Sequence, residues 1–357
     1  MSVLDLARPE LLCLKAYSSA RMEAGSASVM LNANEAPAAP FDDDDVDINR
    51  YPQPQPQALL TAFARAYDVD STQIFVGRGS DEAIDLLIRA FCRCGQDAIL
   101  ISPPTFGMYA VAAGVQGASI VSVPLLPEQG FALNLDAVLQ AAEAAPVKLV
   151  FVCTPNNPTG AVVPREQILA LVRALKGKAL VVVDEAYVEF APVASMTADV
   201  SDWPNLVVLR TLSKAYGLAG ARVGSLIAAP QIVQLLRRIM APYPLPSPSV
   251  AAALKVFEPS ASAARARRVA QTIAERERVS GFLASYPAIV CVWPSAANFI
   301  AFRTANALRV VKSLADRGVI LRDISHYLAL NDCLRVSIGS PDENDQFMAA
   351  LEDVFSM

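Results

Sequence analysis

Lys148-Leu149-Val150-Phe151-Val152-Cys153, Leu180-Val181-Val182-Val183-Asp184 and Val207-Val208-Leu209-Arg210 are three short runs dominated by β-branched and aliphatic residues, and a helical pattern over 164–175 separates the first two. Runs that are apolar at successive positions, not at alternate ones, belong to strands covered on both faces. Strands alternating with helices imply a parallel sheet in an α/β layer fold. The same alternation extends outward, with further strand runs at 74–76, 98–101, 119–123 and 223–228. Helical patterns at 57–67, 80–92, 107–115, 134–143 and 230–240 accompany them. A large, mostly parallel α/β/α domain is therefore expected over 40–245, with residues 1–39 as an N-terminal segment. Ala241-Pro242-Tyr243-Pro244-Leu245-Pro246-Ser247-Pro248 reads as a proline-rich hinge, because each proline keeps the residue before it out of the helical region. Beyond it the pattern changes to a helix over 260–285, strands near 289–293, 298–302, 319–321 and 333–338, and helices at 305–317 and 341–355. That predicts a smaller α+β C-terminal domain over 246–357. The chain shows no internal repeat.

A length of 357 residues suits about two domains. Apolar types at 54% and charged types at 18% exclude a disordered polar chain. A net charge of −5 argues against a nucleic-acid surface, which needs clustered Lys and Arg. No charged residue occurs from Ala98 to Pro127, a length that could cross a bilayer. Pro103-Pro104, Gly107, Gly114, Gly117, Pro124 and Pro127 break it, so strand, turn, helix, turn and strand are expected, all buried. No basic segment leading into an apolar one opens the sequence, so a cytoplasmic protein without membrane attachment is expected.

Six cysteines stand at 13, 92, 94, 153, 291 and 333. Cys92-x-Cys94 lies in a helical pattern and lacks the CxxC spacing of redox or zinc sites, so buried reduced thiols are expected. The single histidine, His326, excludes a His-based metal cluster and reads as a surface-loop residue; no metal site is expected. Asp42 to Asp45 reads as a solvated loop.

Ligands of open α/β sheets sit at the carboxyl ends of the strands. Three of those ends stand out. Phe75-Val76 runs into Gly77-Arg78-Gly79-Ser80-Asp81-Glu82, where glycines and a helix N-terminus can receive an anion. It is neither the dinucleotide fingerprint nor a P-loop, and taken alone Ser80 or Asp81 is as readily a helix cap. Leu180–Val183 ends in Asp184-Glu185-Ala186-Tyr187. Val207–Arg210 ends in Thr211-Leu212-Ser213-Lys214-Ala215-Tyr216-Gly217-Leu218-Ala219-Gly220-Ala221-Arg222-Val223-Gly224. A lysine among small and apolar residues has a lowered pKa and gains nucleophilicity. Pyridoxal phosphate requires these parts together: a lysine amine for its aldehyde, a carboxylate to keep its ring nitrogen protonated, and a cup of amides, hydroxyls and an arginine for its phosphate. Asp184 and Lys214 end two successive expected strands, so both can face one ligand.

With these motifs stand Leu31-Asn32-Ala33-Asn34-Glu35, Tyr51-Pro52-Gln53-Pro54-Gln55-Pro56, Pro103-Pro104-Thr105-Phe106-Gly107-Met108-Tyr109, Pro155-Asn156-Asn157-Pro158-Thr159-Gly160, Leu321-Arg322-Asp323 and Leu334-Arg335. On these residues, from about 15 to the end, the chain resembles the fold-type-I aminotransferases and, within them, the histidinol-phosphate aminotransferase family. The resemblance implies a pyridoxal 5′-phosphate enzyme of histidine biosynthesis that exchanges an amino group between L-histidinol phosphate and 2-oxoglutarate, giving imidazole acetol phosphate and glutamate. It implies that Lys214 bonds the cofactor and shuttles the proton, and that Asp184 pairs with the ring nitrogen. Asn157 and Tyr187 would contact the ring's 3′ oxygen. Phe106 would stack on the ring, where many relatives carry tyrosine. Ser213, Arg222 and the backbone near Ser80 and Asp81 would hold the phosphate. Tyr51 would reach that phosphate from a partner subunit, as part of a homodimer. Arg335, helped by Arg322 and by Tyr17 in Ala16-Tyr17-Ser18-Ser19-Ala20-Arg21, would bind the substrate anion. Taken alone, Arg322 and Arg335 read as strand-end arginines in surface ion pairs. An aromatic aminotransferase or a threonine-phosphate decarboxylase would share most of these motifs, and a non-catalytic cofactor-binding regulator is the alternative of another class.

Overall fold

The computed structural model describes residues 2–15, 29–40 and 48–356. The apolar runs form a seven-stranded sheet of β1 (Ile74–Gly77), β2 (Ala98–Ile101), β3 (Ser119–Ser122), β4 (Val147–Cys153), β5 (Leu180–Asp184), β6 (Leu206–Thr211) and β7 (Gly224–Ile227). Their order is β1-β7-β6-β5-β4-β2-β3, and only β7 runs against its neighbours. Successive residues of a strand point to opposite faces. On β5, Val181 and Val183 accordingly enter one core and Leu180 and Val182 the other.

Short α1 (Pro9–Leu12) precedes α2 (Gln57–Tyr67), α3 (Gly79–Phe91), α4 (Met108–Gln116), α5 (Leu135–Ala144), α6 (Arg165–Ala174) and α7 (Pro230–Ile239). Apolar faces of α3, α4 and α7 cover one side of the sheet; those of α2, α5 and α6 cover the other. Each of β4, β5 and β6 shows no exposed residue. Burial of a Val or Leu side chain stabilises by about 1.5–3 kcal/mol, so these strands anchor the fold.

The second sheet is antiparallel, in the order β10-β11-β9-β8, built from β8 (Ile289–Val292), β9 (Phe299–Thr304), β10 (Arg322–Asp323) and β11 (Cys333–Ser337). Helices α8 (Ser247–Lys255), α9 (Pro259–Ser285), α10 (Ala307–Ala315) and α11 (Pro341–Phe355) complete the chain. Ile300 and Phe302 face a core shared with α9, α10 and α11, whereas Phe299 and Ala301 turn to the core of the large sheet. Arg335 pairs with Ala301 in register, and Leu334 and Val336 enter the small core. The alternation therefore aims Arg335 toward the large sheet.

Four expectations need correction. The segment 98–127 is not all buried, because β3 is the sheet edge and carries Ile120 at 41% exposure. The proline-rich stretch leads directly into α8, whose Pro248 occupies the first turn, where a missing N–H costs nothing. α8 packs on α2, and its Ala253 joins the large-sheet core. Residues 319–321 form no strand; the pairing starts at Arg322. Among the cysteines, Cys92, Cys153 and Cys333 are buried and Cys291 is partly exposed, but Cys13, just after α1, is exposed, as is Cys94, because α3 ends at Phe91 and leaves Cys94 in the turn beyond. His326 is exposed in a turn, as expected. The Asp42–Asp45 run lies outside the described residues. Among the described residues no helix is long and apolar enough to cross a membrane, and no cluster of potential metal ligands occurs.

Candidate active site

Because β1, β2, β4, β5 and β6 run the same way, their carboxyl ends open onto one crevice. A cavity of about 270 Å³ lies there. Asp184 is the last residue of β5, in register with Cys153 of β4 and Leu209 of β6, and it is only 2% exposed. Its Oδ2 accepts a hydrogen bond from the Tyr109 hydroxyl at 2.7 Å, and its Oδ1 accepts one from the Ala186 N–H at 3.2 Å. Burial pushes this carboxyl up to about 6, while the Tyr109 hydroxyl pulls the other way. The same burial pushes the neighbouring Cys153 thiol up to about 12 and raises Tyr109 and Tyr187. These three stay protonated and neutral, so the acid at the bottom of the cavity is Asp184.

Lys214 follows β6 and opens into the same cavity. Its Nζ lies 5.6 Å from the centre of the Tyr187 ring and makes no ion pair among the described residues. Partial burial, reinforced by the positive charge of Arg335, holds the amine below the usual lysine range. That favours the neutral, nucleophilic form.

The anion cup forms where α3 meets the loop before β7. Arg78 gives α3 no side-chain cap, so the first-turn N–H groups have no cap from that side. Gly79 has φ +75°, and a Cβ there would fall 2.7 Å from Arg222 Nη2. At Gly224 a Cβ would meet the Gly79 carbonyl carbon and the Ser80 nitrogen, each at 2.5 Å. Both glycines are needed for β7 and Arg222 to come this close to the helix start. Arg222 donates to the Ser213 hydroxyl at 3.3 Å and pairs with Asp81 at 3.0 Å. Ser80, Asp81, Ser213 and Arg222 thus converge on one side of the cavity.

Half-buried Arg335 lines the same cavity, donates to Asn157 Oδ1 and lies over the Phe299 ring. Tyr187 and Phe106 also line the cavity, Phe106 edge-on to Tyr109 at 5.6 Å. The structure therefore gathers Ser80, Asp81, Phe106, Asn157, Asp184, Tyr187, Ser213, Lys214, Arg222 and Arg335 around one space. It leaves Arg322 exposed on β10, paired in register with Arg335 but not lining the cavity. Tyr51 stacks on Tyr243 at 4.4 Å in a separate cleft, 47% exposed. Tyr17 lies outside the described residues. Sequence reasoning gave Tyr109 no role, since only the tertiary fold brings α4 to the end of β5.

Chemically, the cavity offers an acid at its floor, a nucleophilic amine, aromatic side chains, an anion cup and a second cation. This donor set fits a flat heteroaromatic ring that carries a protonatable nitrogen, an electrophilic carbon and a phosphate. The buried carboxyl lacks a cation among the described ion pairs, and a ring nitrogen would supply one.

The family model for aminotransferase class I and II matches residues 17–351. The chain is 48% identical over 350 residues to histidinol-phosphate aminotransferase of Stenotrophomonas maltophilia, covering 98% of this chain and 96% of the relative. It is 44% identical to the protein of that name from Xylella fastidiosa, covering 99% and 97%. The crystal structure of histidinol-phosphate aminotransferase from Sinorhizobium meliloti, solved in complex with pyridoxal 5′-phosphate, superposes with a TM-score of 0.79 at 28% identity, covering 87% of this chain and 84% of that one.

Proposed function

The chain belongs to the class I and II aminotransferase family, and from that premise we propose that it transfers the amino group between L-histidinol phosphate and 2-oxoglutarate, using pyridoxal 5′-phosphate. The observation that carries this reading is the convergence of Asp184, Lys214 and the anion cup on one cavity, in a chain so similar to enzymes of that name. When bound, the cofactor supplies an electrophilic carbon for the amino group and a ring that withdraws electrons from the substrate.

The roles of the residues follow from their chemistry. Asp184 would hold a proton on the ring nitrogen, being a buried acid with no cation paired to it among the described residues. Lys214 Nζ would bond the cofactor and, once displaced by substrate, carry the proton between the amine-bearing carbon of the substrate and the cofactor carbon. A partly desolvated amine with a lowered pKa suits both tasks. Arg222, Ser213 and the first-turn amides of α3 would hold the cofactor phosphate by charge-assisted hydrogen bonds. Phe106 would cover a face of the ring, for which its missing hydroxyl is no handicap. Asn157 and Tyr187 would orient the ring through its oxygen. Arg335 would bind the substrate phosphate and then a carboxylate of glutamate or 2-oxoglutarate, both of which suit a planar guanidinium. Arg322 and Tyr17 would assist it.

The working unit would be a cytoplasmic homodimer, with exposed Tyr51 reaching the cofactor phosphate of the partner subunit. Within each subunit, the segment 1–39, the domain 40–245 and the domain 246–357 would adjust around the substrate.

Steady-state turnover with 2-oxoglutarate and, in turn, L-histidinol phosphate, phenylalanine and threonine phosphate tests the reading. The largest kcat/KM is expected for L-histidinol phosphate. Turnover of phenylalanine without turnover of histidinol phosphate contradicts it, as does carbon dioxide release from threonine phosphate.

A further inference from the structure

Tyr109 has no part in the roles above. It lies in the first turn of α4, fully buried, with its ring stacked on Phe151 at 4.6 Å and 15°. A core phenylalanine would fill that place as well. The hydroxyl is what phenylalanine lacks, and it donates to Asp184 Oδ2 at 2.7 Å across 75 residues of sequence. Ala186 N–H occupies the other oxygen, so the carboxyl is held at both ends.

We propose that Tyr109 is a positioning residue for amino-group transfer, whose hydroxyl fixes Asp184 Oδ2 so that an anchored carboxylate is presented to the ring nitrogen. The proposal rests on the assignment of Asp184 to that nitrogen. A carboxyl in an apolar floor tends to take up a proton, and a protonated acid cannot pair with a protonated ring. Of the influences that oppose burial at Asp184, the Tyr109 hydroxyl is the largest. Its bond to the charged form is stronger than its bond to the neutral one. The groups facing Asp184 are Tyr109 from α4, Cys153 from β4, Asp81 from α3, Lys214 from the loop after β6 and Tyr187 from the turn after β5. Among the described residues, only Tyr109 donates a side-chain hydrogen bond to it.

The test is thermal unfolding of the full-length protein stripped of cofactor, as wild type and Tyr109→Phe, from pH 5 to pH 8, with the same pair repeated in an Asp184→Asn background. The substitution keeps the stacked ring. The melting-temperature deficit of Tyr109→Phe is expected to grow by about 2–4 °C as Asp184 ionises, and the growth is expected to vanish with Asp184→Asn. In the loaded enzyme, kcat is expected to fall by about tenfold or more with KM nearly unchanged. A deficit independent of pH, a growth that persists with Asp184→Asn, or an unchanged kcat overturns the proposal. If Tyr109→Phe does not accumulate folded, infrared spectra of the wild type decide. A tyrosine C–O band that shifts as a carboxyl ionises, and is still in Asp184→Asn, supports the proposal; its absence contradicts it. Failure of the functional reading would appear separately, as absent amine transfer in a protein whose stripped form still shows the coupling.

Discussion

Replacing Gly224 by alanine puts one methyl group where β7 touches the start of α3. The added Cβ would lie 2.5 Å from both the Gly79 carbonyl carbon and the Ser80 nitrogen, where ordinary contact begins at 3.4 Å. Both neighbours are backbone, so no side chain can rotate away, and the helix start or the strand must move by about 1 Å. Overpacking of this kind costs about 1–3 kcal/mol. Since the displaced groups are the amides of the anion cup, the cost should fall on cofactor binding. It corresponds to a cofactor dissociation constant about 5- to 150-fold higher. Titration of the stripped protein with pyridoxal 5′-phosphate, followed by cofactor absorbance, measures it. Gly220→Ala is the control, because a Cβ there meets open space at an ordinary backbone angle. Affinity of Gly224→Ala within twofold of wild type, or a loss equal to that of Gly220→Ala, would show that the close approach of β7 to α3 does not shape the anion cup.

Other expectations follow from burial and charge. The Asp184 carboxyl rises from 3.8 to about 6 on folding, so its contribution to stability is full below pH 4 and is lost as pH climbs through 6. Asp184→Asn should remove that loss, roughly 3 kcal/mol, and flatten the stripped protein's stability between pH 4 and 7 while abolishing turnover; urea titrations showing an unchanged pH slope would contradict this. Arg335→Met should raise KM for both histidinol phosphate and 2-oxoglutarate by about 10- to 100-fold with a smaller effect on kcat, and initial-rate kinetics would show otherwise if KM held for either. Arg210 is buried between Glu185 and Glu189, with its guanidinium over Tyr67. Arg210→Leu should leave two acids unpaired and cost about 3–5 kcal/mol, so an unaltered urea midpoint would count against a structural ion cluster.

The central sheet was legible because β4, β5 and β6 are buried on both faces, which demands apolar residues at successive positions. The run at 119–123 looked the same, but Ser119 and Ser122 flank only two apolar residues and suit an edge. The helix Ser247–Lys255 hid inside a proline-rich run, where each proline argued locally for extended chain and only the position of Pro248 hinted at a helix start. Ser80, Asp81, Asp184, Tyr187, Ser213, Lys214 and Arg222 could be collected because they lie in the runs at or after three strand ends, whereas Arg335 sits inside a strand and was named, like Phe106 and Asn157, only through the resemblance. Tyr109 could not: its partner is set by how α4 crosses the sheet, and a tyrosine on an apolar helix looks like core. Arg322 and Arg335 looked alike in sequence and pair in register on one face of the small sheet, yet only Arg335 lines the cavity, while Arg322 lies exposed on the edge strand.

The most direct test of the account is reduction of the loaded enzyme with borohydride, followed by peptide mass mapping. One cofactor-sized addition is predicted on the peptide that contains Lys214, and none in Lys214→Ala. An addition on any other lysine, or none in a protein that transfers amino groups, would contradict it.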